Sequence, residues 1–199
     1  MSFTITSYSI SAFAQSTNQT STSKSPQQQQ QQQQNAFCKL TESDMLGPFY
    51  KEGAPFKQRL GEGVKDGEPL IITGKVMDNR CQPIKGAILD VWQANSTGEY
   101  DNEGFTLRGK LKTNNDGTYR IDTIIPNEYS AGDITRPGHV HLKVGAPNQP
   151  LLTTQLYFEG DPYLSGLEDK SLILKLTDDN GTKKANFDFV IQHYKEYEK

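Results

Sequence analysis

Past residue 40, the chain consists of short apolar or alternating runs separated by turn-forming residues. Eight of these runs have the length of strands: 70–77, 87–93, 107–113, 118–124, 139–144, 153–158, 171–176 and 185–191. In the last run Phe187, Phe189 and Ile191 occupy alternate positions, as a half-buried strand requires. No helical period of useful length appears, except near residues 162–170. The pattern predicts an all-β fold, an antiparallel β-sandwich.

Two dipeptides predict hairpin turns within this pattern. Asp116-Gly117 lies between the runs 107–113 and 118–124, and Asn180-Gly181 lies between the last two runs. Asn or Asp followed by Gly favours a tight turn, because these residues tolerate positive φ at low cost. We therefore expect the two strands that flank each dipeptide to pair with each other in antiparallel orientation.

Residues 1–39 differ in composition from the rest of the chain. They are rich in Ser and Thr and contain a run of eight glutamines at 27–34. Such a segment buries too little apolar area to offset its ordering entropy, so it is predicted to be a disordered polar leader. Residues 40–199 then form one domain, since about 160 residues suffice for one core but not for two.

The polar leader is compatible with two cellular locations. Ala12-Phe13-Ala14 before Gln15 has the small-x-small form of a signal-peptidase site, which indicates export, whereas a plain polar leader is compatible with the cytoplasm. The cysteines follow the same alternative. Cys38 and Cys81 are predicted to form a disulfide in an exported chain and to be free thiols in a cytosolic one.

Charge and composition exclude several classes of function. The net charge of -3 argues against a nucleic-acid binder, which needs a basic surface. No stretch of eighteen apolar residues is present, so no membrane-spanning helix is expected. Two cysteines are too few for a thiolate zinc cage. We expect a protein that acts on a small molecule, and a homo-oligomer is compatible with the sequence.

Two of the three histidines occur in His139-Val140-His141. Alternate residues of a strand share a face, so His139 and His141 are predicted to project together, opposite an apolar face formed by Val140, Leu142 and Val144. Two neighbouring imidazoles suggest a metal ion, although a polar strand face can carry such a pair by accident. His193 lies in a charged C-terminal stretch and is expected to be solvated.

An ordered series of motifs resembles the intradiol ring-cleavage dioxygenases. In order along the chain, these motifs are Leu46-Gly47-Pro48-Phe49-Tyr50, Asp90-Val91-Trp92-Gln93-Ala94-Asn95, Gly98-Glu99-Tyr100, Asp116-Gly117-Thr118-Tyr119, Tyr129, Arg136-Pro137-Gly138-His139-Val140-His141 and Thr154-Gln155-Leu156-Tyr157-Phe158. The resemblance spans roughly residues 41–163. It is nearest to the protocatechuate branch or to the short, single-domain members of the family, because a polar leader stands where the catechol and hydroxyquinol branches have a helical region.

The resemblance implies a β-sandwich whose long loops carry a non-haem Fe(3+) site. Its ligands are then Tyr100, Tyr129, His139 and His141. Hard phenolate oxygens suit the ferric ion, and two phenolates with one hydroxide cancel its charge. The implied reaction uses O2 to cleave a catechol between its two hydroxyls, giving a cis,cis-muconate-type product.

Three residues carry catalytic roles by the same resemblance. Tyr129 also serves as a base, Arg136 stabilises negative charge on the substrate ring, and Gln155 orients a ligand or Arg136. Trp92 is expected to belong only to the core. A substrate with a carboxylate needs a nearby cation, for which the candidates are Lys51, Arg59 and Arg108.

Two other readings are compatible with the residues. A non-catalytic, transthyretin-like β-sandwich binding module shares the Asp-Gly-x-Tyr hairpin and needs no iron. A different metalloenzyme uses His139 and His141 with Zn or Fe(II), and then Tyr100 and Tyr129 are not ligands.

Overall fold

The computed structural model describes residue 1 and residues 37–146, 149–166 and 168–192. The cleavage-like site at 12–15, the glutamine run and His193 lie outside the described residues. The described part contains these strands: β1 (Pro69–Asp78), β2 (Ile88–Gln93), β3 (Arg108–Lys112), β4 (Thr118–Ile124), β5 (Tyr129–Ala131), β6 (Ile134–Arg136), β7 (His139–Gly145), β8 (Leu152–Phe158), β9 (Ile173–Leu174), β10 (Thr177–Asp179), β11 (Thr182–Asn186) and β12 (Phe189–Ile191). A single 3-10 turn over Lys170–Leu172 is the helical element of this part.

The strands form two five-stranded sheets and a small hairpin. In the first sheet β1 pairs with β4 on one side and with β11 and then β12 on the other, while β10 pairs with β11. In the second sheet the order is β3-β2-β7-β8-β9. The hairpin consists of β5 and β6. The all-β prediction is therefore confirmed, with a core that draws apolar side chains from both sheets.

Most of the strand pairs are antiparallel, as expected, but the sheets also contain parallel pairs. β11 and β12 both run parallel to β1, and β9 runs parallel to β8. The predicted single run 185–191 is split because the chain passes very close to Gly74, where an added Cβ would lie 1.8 Å from the Phe187 carbonyl oxygen. The backbone N–H of Phe187 donates to Thr73 O at this break. Alternation predicts which face is buried but not the direction of the partner strand.

The C-terminal hairpin is centred where the sequence predicts it, but its strands differ. Asn180 and Gly181 both have positive φ, at 52° and 81°, as a two-residue hairpin turn requires. They join β10 to β11, whereas the predicted run 171–176 is mostly the 3-10 turn and the two-residue β9. Asp169 caps that turn by accepting from the backbone N–H of Ser171. The helical tendency near 162–170 thus appears only as this turn.

β7 has the predicted division of faces. Val140, Leu142 and Val144 belong to the core between the sheets. His139 and His141 point to the opposite face, yet they are only 2% and 1% exposed. Residues 38–50, a segment that we call the strap, reach this face, where Gly47 approaches His141 and the Met45 carbonyl accepts from Gln155.

The strap is fixed to both sheets. Its first residue, Cys38, forms a disulfide with Cys81, just after β1. Farther along, the N–H of Thr41 donates to Val190 O and the N–H of Asp44 donates to Thr153 O. A disulfide that closes a loop of this length stabilises a fold by about 4 kcal/mol through the entropy of the unfolded chain. Within the described ranges, no helix is both long enough and apolar enough to cross a membrane.

Candidate active site

The register of the second sheet assembles the site. On its outer face Trp92 of β2 lies between Arg108 of β3 and His141 of β7, and His141 lies beside Gln155 of β8. In a sheet, directly opposed residues have neighbouring side chains on one face. Residues from four strands therefore form one continuous row across the sheet.

Three of the four residues implied as ligands have donor atoms that converge. His139 Nε2 lies 3.0 Å from His141 Nε2, and Tyr100 Oη lies 3.2 Å from His141 Nε2 and 3.5 Å from His139 Nε2. First-row ions bind nitrogen or oxygen at about 2 Å, which places neighbouring donors about 3 Å apart. The Tyr129 ring adjoins them, with its centroid 5.5 Å from that of Tyr100 and 5.7 Å from that of His139.

Both imidazoles are held in the neutral form that a metal requires. Burial lowers the pKa of His139 to about 4. The pKa of His141 lies well below its usual value, mainly because of burial and secondly because a proton on His141 would be repelled by a proton on His139. His139 Nδ1 lies 2.6 Å from the carbonyl oxygen of Pro137 and so donates its hydrogen there, which leaves the Nε2 lone pair directed at the site. His141 Nδ1 is buried without a hydrogen-bond partner among the described residues.

A close approach of two loops brings Tyr100 and Tyr129 together. The side chain of Asn95 accepts from the backbone N–H groups of Thr97 and Glu99 and so shapes the turn before Tyr100. Gly98 in that turn has φ 79°, and a Cβ there would lie 2.1 Å from the carbonyl oxygen of Glu128. Only glycine allows this contact, which places the two tyrosine rings edge to face.

The two phenols need a cation to ionise. Burial raises the pKa of Tyr100 and also that of Tyr129, while Arg136 acts in the opposite direction on both. A bound multivalent cation reverses this balance, because it stabilises the phenolate. The described residues contain no cluster of three His, Cys, Asp or Glu side chains that could hold a metal, so a metal at this place requires the phenol oxygens. The donor set of two imidazoles and two phenols fits a hard ferric ion.

Arg136 is held beside the donors by a polar network. Its Nη2 donates to Gln155 Oε1 at 3.0 Å and to the Tyr157 hydroxyl at 3.1 Å. Gln155 Nε2 in turn donates to the Met45 carbonyl of the strap. The Tyr157 hydroxyl also lies 2.9 Å from Asp44 Oδ2, which it can reach as a donor. The sequence predicts Arg136 and Gln155 as neighbours here, but not Tyr157 or Asp44.

Aromatic packing around the donors also escaped the sequence reasoning. Trp92 was expected to be only a core residue, but its indole stacks on His141 with centroids 4.8 Å apart and planes 3° apart. Phe49 of the strap stacks on Tyr100 at 4.3 Å and 16°. The resemblance of residues 46–50 to a family motif was the available signal, but it did not indicate a contact with the site.

The three cations considered for a carboxylated substrate lie in different places. Arg108 is 1% exposed and lies beside the Tyr100 ring. Lys51 donates to backbone carbonyls of Asn102 and Gly104, away from the imidazoles. Arg59 lines a separate groove with residues of β1 and β4.

Comparison with known proteins agrees with this arrangement. A family model described as Dioxygenase matches residues 45–193. Among curated proteins, a chlorocatechol 1,2-dioxygenase of Rhodococcus opacus is 32% identical over 190 residues, covering 77% of this chain and 73% of the relative. A 6-chlorohydroxyquinol 1,2-dioxygenase of Cupriavidus pinatubonensis is 33% identical over 178 residues, covering 76% of this chain and 64% of the relative. This chain thus spans about two thirds to three quarters of the length of these two proteins.

Solved structures give the same result. The dioxygenase domain of a dioxygenase carbohydrate-binding protein fusion from Streptomyces sp. SirexAA-E is 36% identical with a TM-score of 0.72, covering 77% of this chain and 99% of that one. A 3-chlorocatechol 1,2-dioxygenase of Rhodococcus opacus 1CP has a TM-score of 0.71 at 26% identity, covering 77% of this chain and 73% of that one. Since the family model matches most of the chain and the motifs meet in one site, this chain belongs to the intradiol ring-cleavage dioxygenase family.

Proposed function

We propose that the protein is a non-haem Fe(3+)-dependent intradiol dioxygenase that cleaves a catechol between its two hydroxyls with O2, giving a cis,cis-muconate-type product. The observation that carries the proposal is the convergence of Tyr100 Oη, His139 Nε2 and His141 Nε2 within 3.5 Å, with the Tyr129 ring beside them. Tyr100, Tyr129, His139 and His141 would hold the iron. A ferric ion held there would supply Lewis-acid chemistry, which would favour the ionised catechol and make its ring reactive toward O2.

The residues around the donors have separable tasks. Tyr129 would take up a substrate proton, because a phenolate oxygen within the site can act as a general base. Arg136 places a fixed positive charge at the site, where it stabilises negative charge that develops on the ring. Gln155 orients Arg136, and its link to Met45 fixes the strap over the site. The strap thereby keeps water away from the imidazoles.

A catechol substrate is supported by the relatives, whose names are those of chlorocatechol, catechol and 6-chlorohydroxyquinol 1,2-dioxygenases. A substrate with a carboxylate is less favoured. Arg108, the candidate cation beside Tyr100, already donates to the carbonyl oxygens of Phe49 and Asp101.

The decisive experiment is oxygen uptake by the iron-loaded protein with catechol, a chlorocatechol and hydroxyquinol, together with product spectra. Cleavage between the hydroxyls and cleavage beside them give products with different spectra. We expect turnover of at least one substrate with the muconate-type product. Iron loading without turnover of any of the three would overturn the proposed activity.

Two tyrosine variants separate this proposal from a site that uses only the histidines. Replacing Tyr100 or Tyr129 with Phe is expected to weaken ferric binding and the visible phenolate-to-iron absorption. A Zn or Fe(II) enzyme that relies on His139 and His141 alone would keep its metal affinity in both variants. Tyr163→Phe is the matched control, since Tyr163 is an exposed tyrosine away from the donors.

We also propose that the protein is exported. The support is the Cys38–Cys81 disulfide, because disulfides persist mainly in oxidising compartments. Expression of the full chain in a eukaryotic host, followed by immunoblots of medium and cells, tests this. Retention of all the protein inside the cells with reduced cysteines would refute it.

A further inference from the structure

Arg108 is a buried cation whose charge has no partner in the site as described so far. Its residue is 1% exposed, and its Nη2 atom makes no hydrogen bond to any described residue. Nε donates to the Asp101 carbonyl at 2.8 Å and Nη1 donates to the Phe49 carbonyl at 2.6 Å. Both acceptors are neutral. A buried charge without an anion is costly, so its retention needs an explanation.

The nearby carboxylates act on Arg108 only from a distance: burial lowers the pKa of Arg108, and Asp101, then Tyr100 and Asp90, oppose that lowering without an ion pair. Asp101 turns its carboxylate to the backbone N–H groups of Glu103, Gly104 and Thr106. Asp90 contacts the Tyr50 hydroxyl at 3.2 Å and Lys110 at 3.9 Å. Among the residues that the structure describes, no carboxylate lies within salt-bridge distance of the Arg108 guanidinium.

The group that the guanidinium does face is Tyr100. Arg108 Cζ lies 5.7 Å from the centroid of the Tyr100 ring. Its two carbonyl acceptors also belong to segments that fix this ring, since Asp101 follows Tyr100 in the chain and the Phe49 ring stacks on it. Arg108 is thus bound to the backbone on both segments that hold Tyr100 in place.

We propose that Arg108 is a positioning residue for Tyr100, which holds the ring against the metal site through the carbonyls of Phe49 and Asp101 and places a fixed positive charge beside it. The proposal rests on the ferric site proposed above. Its physical basis is that a cation against a ring attracts the electrons of that ring, and attracts a phenolate far more strongly than a neutral phenol. The phenolate in turn compensates the buried guanidinium charge.

The test measures ferric binding rather than turnover. Fe(3+) affinity is determined by competition with a chelator, and the visible phenolate-to-iron band is recorded for the wild type, Arg108→Gln and Arg108→Lys. Arg120→Gln is the matched control, because Arg120 is an arginine of β4 whose side chain is 57% exposed. Thermal unfolding of each metal-free variant shows whether the fold is retained.

We expect Arg108→Gln to weaken ferric binding by about tenfold or more, as for loss of a close charge interaction, and Arg108→Lys to weaken it by less than about threefold. In Arg108→Gln the band is expected to move to longer wavelength, because the phenolate electrons lose a stabilising charge. Arg120→Gln is expected to match the wild type in both. Equal affinity and band position in Arg108→Gln and Arg120→Gln would overturn the proposal.

A double-mutant cycle with Tyr100→Phe separates a charge effect from a purely structural one. If Arg108 acts on the phenolate, Arg108→Gln changes ferric affinity by less than about threefold once Tyr100 is Phe. A loss that is the same in both backgrounds would mean that Arg108 only supports the loops, and would refute the proposal. If Arg108→Gln does not fold, Arg108→Lys decides, since a tenfold loss there contradicts a role for the charge.

Failure of this inference can be distinguished from failure of the proposed function. A wild-type protein that binds no ferric ion refutes both. A wild-type protein that binds iron and cleaves catechol, with Arg108→Gln unchanged in affinity and band, refutes only the role of Arg108.

Discussion

Gly47→Ala isolates the contact between the strap and the metal site. Gly47 has φ 72°, and a Cβ at this position would lie 2.9 Å from His141 Cε1. A normal contact needs about 3.4 Å or more, so the imidazole or the strap has to move by about 0.5 Å. His141 stacks on Trp92 and is 1% exposed, so it has little room to yield.

The control needs a glycine that has positive φ but whose added Cβ would touch no other residue. The loop after the strap contains one. Gly53 has φ 87°, and a Cβ there meets nothing within 4 Å. Alanine at either position takes on the same unfavourable left-handed backbone, which costs about 1 kcal/mol of stability. Gly53→Ala is therefore the matched control, because it has the backbone cost without the contact to His141.

The assay compares the two variants in urea unfolding and in ferric binding by chelator competition. We expect both to lose about 1 kcal/mol of unfolding free energy, with Gly47→Ala losing somewhat more. Only Gly47→Ala should also lose ferric affinity, by about tenfold, because metal sites require their ligands to be placed within about 0.5 Å. If the two variants bind iron equally well, the strap does not determine the position of His141, and the reasoning is wrong.

Three further predictions follow from the site and the strap. Tyr129→Phe is expected to lower kcat by about a hundredfold, as for loss of a general base, while Tyr163→Phe leaves kcat unchanged in oxygen-uptake assays. Replacing Cys38 and Cys81 with Ala is expected to lower the unfolding free energy by up to about 4 kcal/mol in urea titrations, and an unchanged midpoint would contradict the tethering role. In the metal-free protein burial lowers the pKa of His139 from 6.5 to about 4, so its contribution to stability, about 3 kcal/mol, is complete above pH 6.5 and is lost as the pH drops toward 4; the lowered pKa of His141 acts in the same direction. Urea midpoints between pH 4 and 7 should therefore rise with pH, and the rise should be smaller in His139→Gln.

The position of the histidines could be predicted from sequence because it depends only on strand periodicity. His139 and His141 share a face of β7, and the alternating residues Val140, Leu142 and Val144 lie in the core. The Asn180-Gly181 turn was predictable for a similar reason, since positive φ is a local property of these residues. In both cases one short stretch of chain contains all the information needed.

The rest of the site depends on which strands become neighbours. Trp92 meets His141 only through the pairing of β2 with β7, and alternation does not encode that register. His141 likewise meets Gly47 of the strap, which lies about a hundred residues earlier in the chain. Trp92 was therefore assigned to the core alone, because a tryptophan in an apolar strand is most often buried there.

The strap explains how local motifs with no obvious chemistry take part in the site. Its backbone carbonyl at Met45 accepts from Gln155, which holds Arg136. Its Phe49 ring stacks on Tyr100, and its Gly47 leaves room for His141. One continuous segment thus contacts two proposed ligands, Tyr100 and His141, and also the network around Arg136. Because the disulfide anchors the start of the same segment, loosening the strap should disturb metal binding and the placement of Arg136 together rather than one at a time.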